Sequence, residues 1–115
     1  MAITIYHNPK CSTSRNVLQM IRDAGQQPEI VEYLKTPPSA RKIKELLKAI
    51  GISARELLRK KEALYGELGL ADPKWSEGEL IALMVEHPIL IERPIVVGPK
   101  GARLCRPKER ALEVI

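Results

Sequence analysis

The stretch ITIYHNPKCSTSRN, residues 3–16, decides how the fold begins. Its first five residues alternate and include β-branched side chains, which predicts a strand over 3–7. The Asn-Pro-Lys segment at 8–10 predicts a turn, and a helix is expected to begin near Ser12. Cys11 therefore stands where a strand has ended and a helix is about to start.

Hydrophobic periodicity and capping residues predict the remaining elements of the chain. In chain order they are a strand over 29–34, a helix that Gly51 ends, a broken helical segment over 54–68 after a Ser53–Glu56 capping box, a helix from the Ser76–Glu79 capping box to Glu86, a strand over 95–97, a strand over 102–105 that pairs back as a hairpin, and a helix from Pro107 to the end.

This order of elements is strand–helix–strand, a helical insert, then strand–strand–helix. It predicts an α/β fold of the thioredoxin-like type, in which a mixed four-stranded sheet carries flanking helices and a helical insertion. A length of 115 residues is enough for one core and too short for two, so we expect a single domain over residues 1–115.

Composition narrows the function classes. The net charge of +5 would suit a small anion, an acidic partner or nucleic acid, but aromatic residues for base stacking make up only 3%. No apolar run approaches the ~20 residues of a membrane span, and no secretory signal is evident, which predicts a cytoplasmic protein. The two cysteines are far apart in sequence, and their spacing from the two histidines matches no zinc pattern.

Cys11 is the leading candidate for chemistry. Free N–H groups at a helix start favour a thiolate over a thiol, and they also favour bound oxyanions. A small buried cysteine that closes a turn remains an alternative. Ser14 stands where a redox dithiol would have its second cysteine, so the site would need an external thiol. A phosphatase loop is excluded because Val17 occupies the position that would need arginine.

Six blocks of this sequence resemble the glutaredoxin-coupled arsenate reductases of bacteria. They are YHNPKCSTSRN at 6–16, YLKTPPS at 33–39, ARELLRKKE at 54–62, ELGLAD at 67–72, HPILIERPIVV at 87–97 and RLCRP at 103–107. The resemblance implies a thioredoxin-like fold with an added helical section, and an enzyme that reduces arsenate to arsenite.

Position by position, the resemblance assigns roles to individual residues. Cys11 would form an arseno-cysteine adduct, and His7 and Ser14 would support its thiolate. Three arginines would bind the oxyanion, and they are Arg59, Arg93 and Arg106. Pro94 would be the cis proline opposite the cysteine, and Cys105 would not be required.

The resemblance also implies partners. Glutathione would attack the adduct as a co-substrate, and glutaredoxin would remove it, so no bound cofactor and no metal is expected. We further expect a monomer that binds neither nucleic acid nor a membrane.

Two departures keep other functions open. Ser12 stands where the best-known reductases have glycine, and the chain ends at Ile115 whereas some members carry a longer tail. A related single-cysteine thiol oxidoreductase with another substrate is therefore an alternative. A redox regulator that binds RNA polymerase is a second alternative, although such regulators carry Cys-x-x-Cys where this chain has Ser14.

Overall fold

The strands and helices follow the predicted order in a computed structural model that describes residues 2–115. In chain order the elements are β1 (Thr4–His7), α1 (Ser12–Asp23), β2 (Glu29–Glu32), α2 (Ala40–Ile50), α3 (Ala54–Leu57), α4 (Ala63–Glu67), α5 (Glu77–Glu86), a 3-10 helix (Pro88–Leu90), β3 (Ile95–Gly98), β4 (Gly101–Leu104) and a C-terminal 3-10 helix (Lys108–Glu113).

The four strands form one mixed sheet in the order β2-β1-β3-β4. β1 runs parallel to β2, with His7 opposite Glu32, and antiparallel to β3, with Tyr6 opposite Ile95. β3 and β4 form the predicted hairpin. The thioredoxin-like α/β fold is confirmed. β1 is an inner strand, and its last residue, His7, pairs with β2 just before the cysteine loop.

Contacts within the chain define two compact units. The sheet unit runs up to Thr36 and resumes over Arg93–Ile115, and the helical unit is Pro37–Glu92. A single domain over 1–115 stays a prediction, and Met1 lies outside the described residues. Among residues 2–115, no helix is both long enough and apolar enough to span a bilayer.

The core of the sheet unit lies between α1 and the sheet. α1 buries Val17, Leu18 and Ile21, which repeat at helical spacing and contact apolar strand residues such as Ile5 and Val96. The C-terminal 3-10 helix packs against α1 and adds Ala111 to the same cluster, and Val114, directly after the helix, joins it as well. Packing on two faces therefore fixes the orientation of α1, whose first turn follows Cys11.

The helical unit is the predicted insertion. Gly51 ends α2 with a φ of 84°, a left-handed conformation that glycine adopts without steric cost. Ser53 and Ser76 form the two predicted capping boxes, each with a glutamate three residues later. The segment over 54–68 is broken into α3 and α4, as predicted.

One predicted strand end and one predicted helix were wrong, and other ends differ by a single residue. The second strand ends at Glu32 rather than at residue 34, because the Glu32 carbonyl accepts hydrogen bonds from the N–H groups of Lys35 and Thr36 and so starts a turn. The last element is a 3-10 helix over Lys108–Glu113, and Pro107 precedes it in an extended conformation, with φ −69° and ψ 162°.

Candidate active site

Asn8 organises the loop between β1 and α1. Its backbone N–H donates to Ser14 Oγ at 3.1 Å, its carbonyl accepts from the Cys11 N–H at 3.0 Å, and its Oδ1 accepts from the Lys10 N–H at 3.0 Å. The residue is 4% exposed. Asn8 was not among the predicted site residues, although an asparagine before Pro-x-Cys is a typical signal of a side-chain-stabilised turn.

Cys11 is the N-cap residue of α1. Its backbone is extended, with φ −95° and ψ 122°, and its carbonyl accepts the N–H of Arg15 at 3.0 Å. The side chain is partly buried, and burial by itself raises the pKa of the thiol. The backbone N–H groups of Ser14 and Thr13, together with two arginine charges, outweigh this and lower the pKa below its ordinary value.

Arg106 connects the thiol to the Arg93–Pro94 segment. Its Nη2 donates to Cys11 Sγ at 3.6 Å, and its Nε donates to the Arg93 carbonyl at 2.8 Å. Arg93 is 5% exposed, and its positive charge also lowers the pKa of Cys11. The Arg93–Pro94 and Arg106–Pro107 peptide bonds are both cis. Two of the three predicted arginines, Arg93 and Arg106, therefore lie in the sheet unit and lower the pKa of the Cys11 thiol.

His7 and Ser14 form a buried pair behind the loop. His7 Nδ1 lies 2.5 Å from Ser14 Oγ, and Ser14 is fully buried. Burial is the main cause that lowers the pKa of His7, against an opposing effect of Glu32, so the imidazole is neutral at pH 7. His7 therefore brings a hydrogen bond to this site rather than a positive charge. Because Ser14 Oγ accepts from Asn8, we assign its proton to His7 Nδ1.

Arg59 belongs to the helical unit, where two carboxylates hold its guanidinium. Its Nη1 lies 2.8 Å from Glu92 Oε1, and its Nε lies 3.2 Å from Glu62 Oε1. Its backbone N–H donates to the Leu90 carbonyl at 2.8 Å, which anchors the residue to the end of the 3-10 helix. Its share in oxyanion binding stays a prediction.

The second cysteine has the properties of a core residue. Cys105 is completely buried, and burial raises the pKa of its thiol to about 12. Its Sγ contacts the Arg103 carbonyl at 3.6 Å. A thiol with so high a pKa is a poor nucleophile. Within residues 2–115, no group of three or more His, Cys, Asp or Glu side chains is arranged to hold a metal ion.

Comparison with known proteins places the chain in a family. The model of the ArsC family matches residues 6–114. The chain belongs to the ArsC family. An arsenate reductase of Escherichia coli (strain K12) is 56% identical over 113 residues, which cover 98% of this chain and 80% of that relative. Uncharacterized protein YfgD of the same strain is 52% identical over 114 residues, 98% of this chain and 96% of that relative.

A solved structure extends the likeness to three dimensions. The arsenate reductase from Vibrio cholerae superimposes with a TM-score of 0.96 at 46% identity, and the match covers 100% of this chain and 98% of that one. In this ArsC-family chain, one short loop presents a partly buried thiol with a lowered pKa to backbone N–H groups and to Arg106. Such an arrangement can attack an electrophile that carries negative charge, because nearby donors offset the repulsion between two anions.

Proposed function

We propose that this protein reduces arsenate to arsenite with Cys11 as the nucleophile. The observation that carries the proposal is the contact between Arg106 Nη2 and Cys11 Sγ at the start of α1, at a thiol whose pKa is lowered. The guanidinium can stabilise the thiolate and then bind an oxygen of the incoming anion. Arsenate reductases more than half identical over nearly the whole chain support the choice of anion.

In the first step, the Cys11 thiolate attacks arsenic. An S–As bond forms and an As–O bond breaks, and the leaving oxygen departs as water after protonation. Arsenic stays in the +5 state, so this step is a substitution and no electrons are transferred. Arg93 and Arg106 would neutralise the arsenate oxygens and the charge that develops on them. For Arg59 the same role rests on the resemblance alone.

In the second stage, two external thiols supply the electrons. Glutathione condenses with the arsenic of the adduct, so that a second S–As bond forms and another water leaves. A glutaredoxin thiolate then attacks the glutathione sulfur and makes a mixed disulfide. The S–As bond to glutathione breaks with its electron pair on arsenic, which becomes As(III). Water finally displaces arsenite from Cys11 and restores the thiol.

The single-cysteine loop supports a scheme with external thiols. Position 14 holds a serine, which has no sulfur to form a disulfide, and the second cysteine, Cys105, is buried with a raised pKa, so Cys11 has no ready internal disulfide partner. Glutathione and glutaredoxin operate where thiols are kept reduced, and we therefore place the protein in the cytoplasm. We propose that it acts there as a monomer.

A turnover assay with arsenate, glutathione and glutaredoxin tests this function. Cys11→Ser should abolish arsenite formation, and Cys105→Ala, the matched control, should retain most of it. Mass spectrometry of protein incubated with arsenate alone should detect the adduct in the control and not in Cys11→Ser. Equal loss of activity in the two variants would contradict the single-nucleophile mechanism, and folded wild-type protein without any turnover would contradict arsenate as substrate.

A related thiol oxidoreductase with another substrate is the second candidate. Ser12 is an exposed residue directly after the proposed nucleophile, and its hydroxymethyl group is a departure from the glycine of the best-known reductases. The Escherichia coli relative that this chain matches over 96% of its length carries the name of an uncharacterized protein. A panel of oxyanions and disulfides in the same coupled assay distinguishes the candidates. Turnover of another substrate at a kcat/KM well above that for arsenate would favour the second one.

A further inference from the structure

A groove of about 320 Å³ opens in the sheet unit between the start of α1 and the segment after β4. One wall is the first turn of α1, with Thr13 and Asn16 one helical turn apart. The other wall is the segment that leads from β4 into the C-terminal 3-10 helix, and it comprises Arg106, Pro107, Lys108 and Glu109. The volume lies at the lower end of the ~300–1,000 Å³ that small-molecule sites span.

We propose that this groove binds the glutathione co-substrate, an inference that rests on the proposed function. Arg106 carries the argument because it lines the groove and donates through Nη2 to Cys11 Sγ. The groove therefore adjoins a side chain that also contacts the sulfur that would bear the arsenic adduct. A thiol peptide lying in the groove could extend its sulfur past Arg106 toward that adduct.

The charges on the walls match those of the peptide. Glutathione at neutral pH has two carboxylates and one ammonium group, and thus a net charge of −1. Beside Arg106, which the proposed function assigns to the oxyanion, the groove offers one cation, on Lys108, for a carboxylate of the peptide and one carboxylate, on Glu109, for its ammonium group. Asn16 adds an amide that can both donate and accept hydrogen bonds with a peptide bond. Lys108 is exposed and free of any assigned part in arsenate chemistry, so it can bind a carboxylate of the peptide.

The location also suits the order of the reaction. Arsenate must reach Cys11 first, and the thiol peptide must then approach the arsenic without displacing the arginines that hold the oxyanion. Arg106 can serve both steps without moving away, because its Nε donates to the Arg93 carbonyl and its Nη2 contacts the sulfur. The glutathione thiol then condenses with the adduct, forming an S–As bond and releasing one oxygen of arsenic as water.

Binding can be measured without any chemistry. The probe is S-methylglutathione, which cannot form the S–As bond, titrated into isotope-labelled Cys11→Ser protein and followed by backbone amide resonances. We expect the largest shifts at Thr13, Asn16, Lys108 and Glu109. Lys108→Glu should raise the dissociation constant of the probe about tenfold, because the attraction between Lys108 and a peptide carboxylate becomes a repulsion, weakened by solvent screening. Lys108→Gln should give a dissociation constant between those of the wild type and Lys108→Glu. Lys100→Glu, an equal charge change on the exposed β3–β4 turn, should leave binding unchanged.

Steady-state kinetics separate this proposal from the proposed function. In the active protein, Lys108→Glu should raise the KM for glutathione about tenfold and leave the KM for arsenate unchanged. If the wild type is active but Lys108→Glu and Lys100→Glu have the same KM for glutathione, the groove is not the glutathione site. Arsenate reduction would then still stand. Amide shifts confined to other surfaces would overturn it as well. Probe binding in the groove of a protein that does not reduce arsenate would overturn the proposed function instead.

Discussion

The hydroxyl group of Ser14 should stabilise the whole cysteine loop, and Ser14→Ala tests how much. In the folded protein this oxygen accepts the Asn8 N–H at 3.1 Å and lies 2.5 Å from His7 Nδ1. Both partners are buried, at 4% and 6% exposure. Alanine would leave both polar groups without this partner, and each buried polar group that loses its hydrogen bond costs about 1–3 kcal/mol.

The expected loss follows from adding these terms. Two unsatisfied groups cost about 2–6 kcal/mol together, and the better helix propensity of alanine returns about 0.5 kcal/mol. We therefore expect Ser14→Ala to lower the free energy of unfolding by about 2–5 kcal/mol. Ser12→Ala is the matched control because Ser12 is exposed at the same end of α1, and a change within about 0.5 kcal/mol is expected there.

The assay is urea unfolding at about pH 7.5, where His7 is neutral in both states. Burial lowers the pKa of folded His7 below its ordinary 6.5, so the unfolded chain binds more protons as the pH falls past 6.5. The stability of the wild type should decline there, and that decline would distort a comparison at lower pH. If Ser14→Ala costs no more than Ser12→Ala at unchanged m-value, the two buried hydrogen bonds do not stabilise the loop.

Two further predictions concern the thiolate and the sheet. Arg106→Gln should shift the pH midpoint of Cys11 alkylation by iodoacetamide upward, because a positive charge that lowers the thiol pKa is removed; an unchanged midpoint would contradict the contact. Gly98→Ala should destabilise the folded protein by about 3 kcal/mol, as measured by thermal unfolding, since a Cβ there would lie 2.1 Å from the Val114 carbonyl oxygen. Gly78→Ala, in open space within α5, should instead stabilise by about 0.5–1 kcal/mol, and similar effects of both changes would contradict the steric argument.

Local patterns in the sequence predicted most of the fold. Strand alternation, helical spacing and the two capping boxes act between residues a few positions apart, and such patterns can be read from one chain. The errors concerned the end of one strand and the type of the last helix. β2 stops where the Glu32 carbonyl accepts turn hydrogen bonds, and the C-terminal segment forms a 3-10 helix packed on α1. Both outcomes depend on competing hydrogen bonds and packing that spacing does not encode.

For the candidate site, the sequence by itself determined where the proposed nucleophile lies and which residues surround it along the chain. Cys11 follows a turn and precedes a helix, and Ser14 rules out a second thiol in the loop, because both facts concern neighbours in sequence. Only the tertiary structure decided that Arg106, ninety-five positions away, donates to the sulfur while the Arg93 carbonyl holds its Nε. That contact exists because β3 and β4 pair beside β1, and long-range pairing follows from the packing of the whole sheet rather than from any local pattern.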